Sequence, residues 1–453
     1  MIKGSLIRAG QSREDCLMTG KITEPVHRRG WRTTVSGILV GLALLAMPFT
    51  GAVADHPPHW AATWATASKT ITPFDAPLPA INDTTIRQVV RISMGGSWFR
   101  VWLTNEFGTE PLNVGEARLA RREAGSAVRS GTDRQLMFGG QTSVVIPPGA
   151  RVVSDPVELF AGHLSDLVVS VHLPDDISMS ESPVSYHVRA LQTNYLADGN
   201  QTAAADLDAP TAVPSWFYLS AIDVGRDRPV DVIAALGDSI TDGDQTQPEP
   251  VDQNARYTNF LAEYILRAND LHPNGYRYAT VVNLGISGNQ VNSDFLGESA
   301  QARLNRDVLS QTGVTHVIAL GGINDIGLPV LLGAPAGASA AQLIAAHQQI
   351  AARAEVAGLT TIGLTLPPSG GSFLPGYGMG AVEEARQGLN AWMRTSGAYD
   401  IVVDIDAVLR DPDDATLMRQ TLTADGLHPN AAGYREMAKA IYLALSNRPN
   451  RSR

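Results

Sequence analysis

The sequence predicts a chain in two folded parts: a β-sandwich-like part, then an α/β part built on a parallel sheet. Three observations carry this expectation. At 453 residues the chain exceeds what one hydrophobic core usually supports. From about Trp60 to Val224 apolar residues recur with period two, and no long helical period intervenes. After Asp231 short apolar runs alternate with amphipathic stretches, the pattern of parallel strands covered on both faces. Hydrophobic residues make up 44% of the chain and charged residues 18%, the composition of a folded protein.

Residues 1–54 read as a signal peptide: the basic stretch "HRRGWR" (His27 to Arg32), an apolar run from Val35 to Phe49, and the small-residue exit "GAVA" ending at Ala54. The run is short for a membrane-spanning helix. Cleavage after Ala54 removes Cys16, the only cysteine, so the mature chain can form no disulfide and is held by packing alone. It keeps 28 basic and 42 acidic residues, a net charge near −14. That charge argues against nucleic acid or an anionic membrane as a partner. A secreted or periplasmic protein with no stable membrane association is expected.

The β-rich domain is assigned to residues 55–228. In "TIRQVVRISM", Ile86, Val90, Ile92 and Met94 fall on one face and Arg87 and Arg91 on the other, as in a half-buried strand. Gly95 and Gly96 then turn the chain into "SWFRVWLTN", which reads as a hairpin. "SVVIPPGA" and "DLVVSVHLP" supply further strands, the second with Leu167, Val169, Val171 and Leu173 on one face. "NQTAAADLDAPTAVP" (Asn200 to Pro214) reads as an exposed loop.

The second domain is assigned to residues 229–453. Its strands are "VIAAL" (232–236), "TVVN" (280–283), "HVIAL" (316–320), "TTIGLTL" (360–366) and "IVVDI" (401–405), separated by helices such as "YTNFLAEYILRA" and "VEEARQGLNAWMRTSG". Sheets of this kind bind ligands beyond the carboxyl ends of their strands.

Four fragments stand at those ends. "GDS" with Ser239 follows the first strand, "NLGISGNQ" (Asn283 to Gln290) the second, and "GGINDIG" (Gly321 to Gly327) the third; "ADGLHPN" (Ala424 to Asn430) falls after the fifth. Taken alone, the first leaves two readings open: a nucleophile, or a helix cap supplied by Asp238 or Ser239. A serine hydroxyl needs a base within hydrogen-bond reach to act as a nucleophile. His428 is the candidate base, and Asp425, three residues earlier, can accept the other ring N–H and fix the tautomer.

The ordered set resembles the SGNH or GDSL hydrolase family over about residues 231–446. The resemblance implies a flavodoxin-like three-layer α/β/α domain, with Ser239 as nucleophile, His428 as base and Asp425 as its orienting group. It also implies an oxyanion hole made by the backbone N–H of Ser239, the backbone N–H of Gly288 and the side-chain amide of Asn324, with Gly285 as the competing glycine. "TNEFGTEPL" and "IPPGARVVSDPV" are similar to the β-rich leader of a secreted acylhydrolase branch. The implied activity is hydrolysis of short-chain acyl or acetyl esters through an acyl-enzyme, the substrate being a small molecule or a plant polysaccharide. Two alternatives accompany it: a carbohydrate-binding protein with a degenerate hydrolase half, and acyl transfer by the same site.

No cofactor or metal is expected. There is no H-E-x-x-H, no cysteine cluster and no glycine-rich phosphate loop after a strand. Asp242 and Asp244 of "TDGDQT" resemble the start of a calcium loop, but the bidentate glutamate is missing, so the stretch reads as the loop after the nucleophile. His316 reads as structural, and His347 as part of an exposed face on an Ala-rich helix. "PVLLGAPAGASA" and "PPSGGSFLPGYGMG" are expected to wall an open cleft.

Overall fold

A computed structural model describes residues 57, 59–244, 250–271 and 278–447. Residues 1–54, read from sequence as a signal peptide and including Cys16, lie outside the described residues.

In "VIAAL" every residue from Val232 to Leu236 is buried, as in a strand covered on both faces. It forms the strand Asp231–Gly237, flanked in parallel by Ala279–Gly285 on one side and His316–Leu320 on the other, with Thr360–Leu364 and Ile401–Val403 completing the sheet. The strand order 2-1-3-4-5 reverses at Asp231–Gly237, and such a reversal opens a crevice at the carboxyl edge. Helix Tyr257–Leu271 packs with Ala431–Ser446, and helix Ala340–Val356 with Gly380–Ser396. Right-handed crossovers from a reversing strand order put these two pairs on opposite faces of the sheet.

The preceding half is β-rich and antiparallel. One sheet runs His59–Ala65, Leu219–Arg226, Gly96–Thr104, Val157–Ala161; the other is centred on Thr84–Arg91 and Asp166–Leu173. The expected hairpin at Gly95 and Gly96 does not form, because the strands on either side belong to different sheets. The glycines serve a close approach instead: a Cβ on Gly95 would lie 2.2 Å from the carbonyl oxygen of Ala161.

The half-buried reading of "TIRQVVRISM" also fails. Residues Thr84 to Val90 are all buried, Arg87 among them with no exposed surface. Its guanidinium donates to Ser170 Oγ (2.9 Å), to the carbonyl of Ser126 (2.9 Å) and to the carbonyl of Ala204 (2.8 Å). Part of this cup comes from residues 200–214, read from sequence as an exposed loop; Thr202 and Leu207 in it are buried. A cation supplied with this many acceptors can be buried where the sequence pattern alone puts it in water.

The two halves meet along the edge of the parallel sheet. Val281 N–H donates to Ser93 Oγ (3.1 Å), and Ala62 N–H to the carbonyl of Thr312 (2.9 Å).

Candidate active site

Ser239 sits just beyond the carboxyl end of Asp231–Gly237, as the first residue of a short helix, Ser239–Asp242. The capping role falls to its neighbour: Asp238 Oδ1 accepts from Ile240 N–H (3.0 Å). The serine side chain is therefore left for another partner, and His428 Nε2 lies 3.0 Å from Ser239 Oγ. On the far side of the ring, Nδ1 lies 2.7 Å from Asp425 Oδ2. A carboxylate can only accept here, so Nδ1 carries the proton, and the Nε2 lone pair is free to accept from the serine hydroxyl.

Three residues of sequence suffice to bring Asp425 and His428 together because the turn folds onto itself. Asp425 Oδ1 accepts from the N–H groups of Leu427 (2.8 Å) and His428 (2.7 Å), which leaves Oδ2 for the ring. Gly426 is required at the apex: its φ is +73°, and a Cβ there would lie 2.0 Å from the carbonyl oxygen of Gly371. Asn430 then caps helix Ala431–Ser446 through Ala432 and Gly433, ending the turn at a fixed point.

The electrostatics favour a basic imidazole. Burial works against the imidazolium, but the Asp425 hydrogen bond and the charges of Asp244, Asp425 and Asp238 outweigh it and hold His428 above its ordinary value. Burial likewise pushes against the Asp425 carboxylate, yet its bonds to His428 and Leu427 keep it below the usual range. Asp238, wholly buried, is pushed up to about 7. Among the described residues no donor reaches its Oδ2.

Gly288 and Asn324 face Ser239 and His428 across a cleft of about 360 Å³. Gly288 adopts φ +74°, and a Cβ on it would meet Leu296 Cδ1 at 2.2 Å, so only glycine keeps the backbone open to the cleft at this point. Gly285 lies elsewhere, packed under the turn after the nucleophile: its Cβ would fall 2.3 Å from Asp242 N.

Asn324 is held at both ends of its amide. Nδ2 donates to the carbonyl of Asn289 (3.1 Å), and Oδ1 accepts from the hydroxyl of Tyr377 (2.7 Å). The Tyr377 ring lies on the backbone of helix Ile323–Leu331, where a Cβ on Gly327 would sit 2.4 Å from Tyr377 Cδ1. Next to it, Asp325 accepts from Val291 (2.8 Å) and Asn292 (2.9 Å), tying this helix to the Gly288 loop. His347 is the correction among the histidines. It is fully buried rather than exposed, bonded through Nδ1 to Tyr399 Oη (2.6 Å) and through Nε2 to the carbonyl of Gly321 (3.0 Å), and burial lowers it to about 4. It therefore supports the turn that presents Asn324.

The carboxylates of "TDGDQT" are met by side chains from the β-rich half. Asp242 Oδ1 accepts from His187 Nε2 (3.1 Å), and its Oδ2 from the N–H of Ser287 (3.2 Å). Asp244 Oδ2 accepts from Arg189 Nη1 (2.9 Å) and from Ser287 Oγ (2.6 Å). His187, Arg189 and Tyr377 are the residues that sequence reasoning missed. The only signal was the pair of unexplained carboxylates after the nucleophile, whose partners lie 55 residues upstream.

Residues 235–436 match the family model described as GDSL-like Lipase/Acylhydrolase family. This segment is a GDSL-like lipase/acylhydrolase domain. The chain accordingly carries a hydrolase domain of the GDSL-like lipase/acylhydrolase kind, with its β-rich half outside the matched region. Solved structures similar to the GDSL domain include the native aryl esterase of M. smegmatis, at 15% identity, TM-score 0.38, covering 47% of this chain and 97% of that one. A carbohydrate acetylesterase from Sinorhizobium meliloti matches at 14% identity and TM-score 0.37, covering 47% and 96%. A GDSL-like lipase from Bacteroides thetaiotaomicron matches at 17% identity and TM-score 0.34, covering 48% and 87%. No curated protein sequence matches the chain.

Proposed function

We propose that this GDSL hydrolase is an exported serine esterase that cleaves carboxylic esters of short-chain acyl or acetyl type through an acyl-enzyme. The observation that carries the reading is the unbroken relay from Ser239 Oγ to His428 Nε2 (3.0 Å) and from His428 Nδ1 to Asp425 (2.7 Å), set in the cleft that Gly288 and Asn324 line. Ser239 Oγ attacks the ester carbonyl carbon as its proton passes to His428 Nε2. The carbonyl oxygen becomes an oxyanion, received by the backbone N–H groups of Ser239 and Gly288 and by the free N–H of the Asn324 amide. The carbon–oxygen bond to the alcohol then breaks, and the leaving oxygen takes the proton from His428. Water repeats the sequence on the acyl-serine, giving up its proton to the same ring and releasing the acid.

Within this machinery Tyr377 is a positioning residue. Its hydroxyl bond to Oδ1 supports an orientation in which Asn324 presents N–H, not oxygen, to the cleft. The basic, apolar and small-residue order of residues 1–54 supports export.

The test uses the purified mature chain and a chromogenic acetate ester. Hydrolysis that disappears in Ser239→Ala, together with a single phosphonate adduct mapped to Ser239, is the expected result. Hydrolysis surviving in Ser239→Ala overturns the reading.

A further inference from the structure

The cleft is not built by the GDSL domain alone. Lys69, Phe74, Asp75 and Ala76 of the β-rich half line it together with Ser239 and His428. We propose that this Lys69–Ala76 segment is the acyl-side wall of the cleft, where Phe74 and Leu296 select esters whose acyl group is an apolar chain longer than acetyl. The proposal rests on the serine esterase reading and names its substrate class.

The sides of the cleft follow from the chemistry. The leaving alcohol must face His428 Nε2, since that ring returns the proton to it. Leu427 and Leu374 wall this side: one adjoins His428, and the other follows Phe373, whose N–H donates to the carbonyl of Asp425 (3.0 Å). The acyl group is left with the side next to Gly288. There Leu296 presses on Gly288, and Phe74 packs on Phe295 with ring centroids 5.0 Å apart at 47°.

The wall is set before any substrate arrives. Lys69, nearly fully buried, holds both oxygens of Asp75 (2.8 and 2.6 Å), and Thr72 donates to Asp75 Oδ2 through N–H (2.7 Å) and Oγ1 (2.8 Å). Burial of Asp75 opposes its charge, yet the Lys69 and Thr72 bonds keep it ionised below the usual range, so the brace persists at neutral pH. The Lys69 backbone in turn pairs with Tyr186 in both directions (2.8 and 3.1 Å).

On this braced loop Phe74 is 64% exposed. A rigid aromatic left in water at the edge of a reacting site gains by being covered, and the gain grows with the apolar area that covers it. An acetyl group offers this wall one methyl, whereas a longer acyl chain offers the apolar area that can cover the Phe74 ring.

The experiment compares kcat/KM for p-nitrophenyl acetate, butyrate, hexanoate and octanoate in the wild type, Phe74→Ala, Phe74→Leu and a control, Phe160→Ala, whose ring is exposed on the strand Val157–Ala161 and does not line the cleft. The expected result is a wild type that prefers hexanoate to acetate. The hexanoate-to-acetate ratio should fall about tenfold in Phe74→Ala, recover largely in Phe74→Leu, and stay unchanged in the control. A wild type that prefers acetate, or a ratio that Phe74→Ala leaves unmoved, overturns the proposal while the esterase reading stands. Hydrolysis that persists in Ser239→Ala overturns both.

Discussion

Replacing Tyr377 by Phe removes one oxygen and little else. The ring stays clasped on Gly327, so the phenyl group keeps its place, and the change is felt at Asn324 Oδ1, which loses its 2.7 Å donor. Both residues are buried, and a buried acceptor left without a donor costs about 1–3 kcal/mol. Rotation of the amide recovers part of that cost by turning Oδ1 toward the cleft, where an acceptor repels the forming oxyanion. With each 1.4 kcal/mol worth about tenfold, kcat should fall roughly tenfold while KM barely changes, because the affected bond is made mainly in the transition state. The Asn324→Ala variant sets the ceiling at ~10²–10³. The assay is steady-state hydrolysis of a chromogenic ester by the wild type, Tyr377→Phe, Asn324→Ala and the double variant. If Tyr377 acts through Asn324, its effect should vanish once Asn324 is alanine. An equal loss in both backgrounds, or a lowered melting temperature with normal turnover, would refute the positioning role.

His428→Ala should lower kcat by at least ~10³, and Asp425→Asn by less, since the asparagine still accepts from the Leu427 and His428 N–H groups; stopped assays with the fold checked by circular dichroism decide the order. The acid limb of kcat/KM should lie above the ordinary histidine value of 6.5, because His428 must be neutral to act and its folded value is raised; Asp244→Asn, which removes one of the charges raising it, should move the limb to lower pH. Asp238 is pushed from 3.8 up to about 7, so folding takes up a proton between those values and stability falls as pH rises through that window. Asp238→Asn, which keeps the capping oxygen, should therefore raise the melting temperature by a few degrees at pH 8 and scarcely at all at pH 4; an equal gain at both would show that burial of the charge is not the cause.

What the sequence made legible was local. Each parallel strand is announced by a continuous apolar run, and the Asp425 to His428 contact is closed within a single turn, so both could be read from spacing. Spacing before the asparagine favoured Gly288 over Gly285, but the physical difference, Leu296 behind one and Asp242 behind the other, was not visible in it. The antiparallel half was read less well for the same reason. Period two gives the faces of a strand but not its sheet, so the Gly95–Gly96 junction looked like a hairpin, and Arg87 looked like a surface residue until residues 200–214 folded over it. His187 and Arg189 belong to this class: their meaning depends on how one half docks on the other.

That docking has a consequence for anyone dividing the gene. Asp242 and Asp244 are almost wholly buried, and the donors that face them include His187 Nε2 and the Arg189 guanidinium from the antiparallel half. An excision at residue 229 would strip these partners from the carboxylates behind the nucleophile and uncover the strand edge where Ser93 receives Val281. The region that carries the family signature therefore borrows part of its cleft lining and the partners of its buried carboxylates from outside itself, so exchanging the antiparallel half exchanges residues that face Ser239.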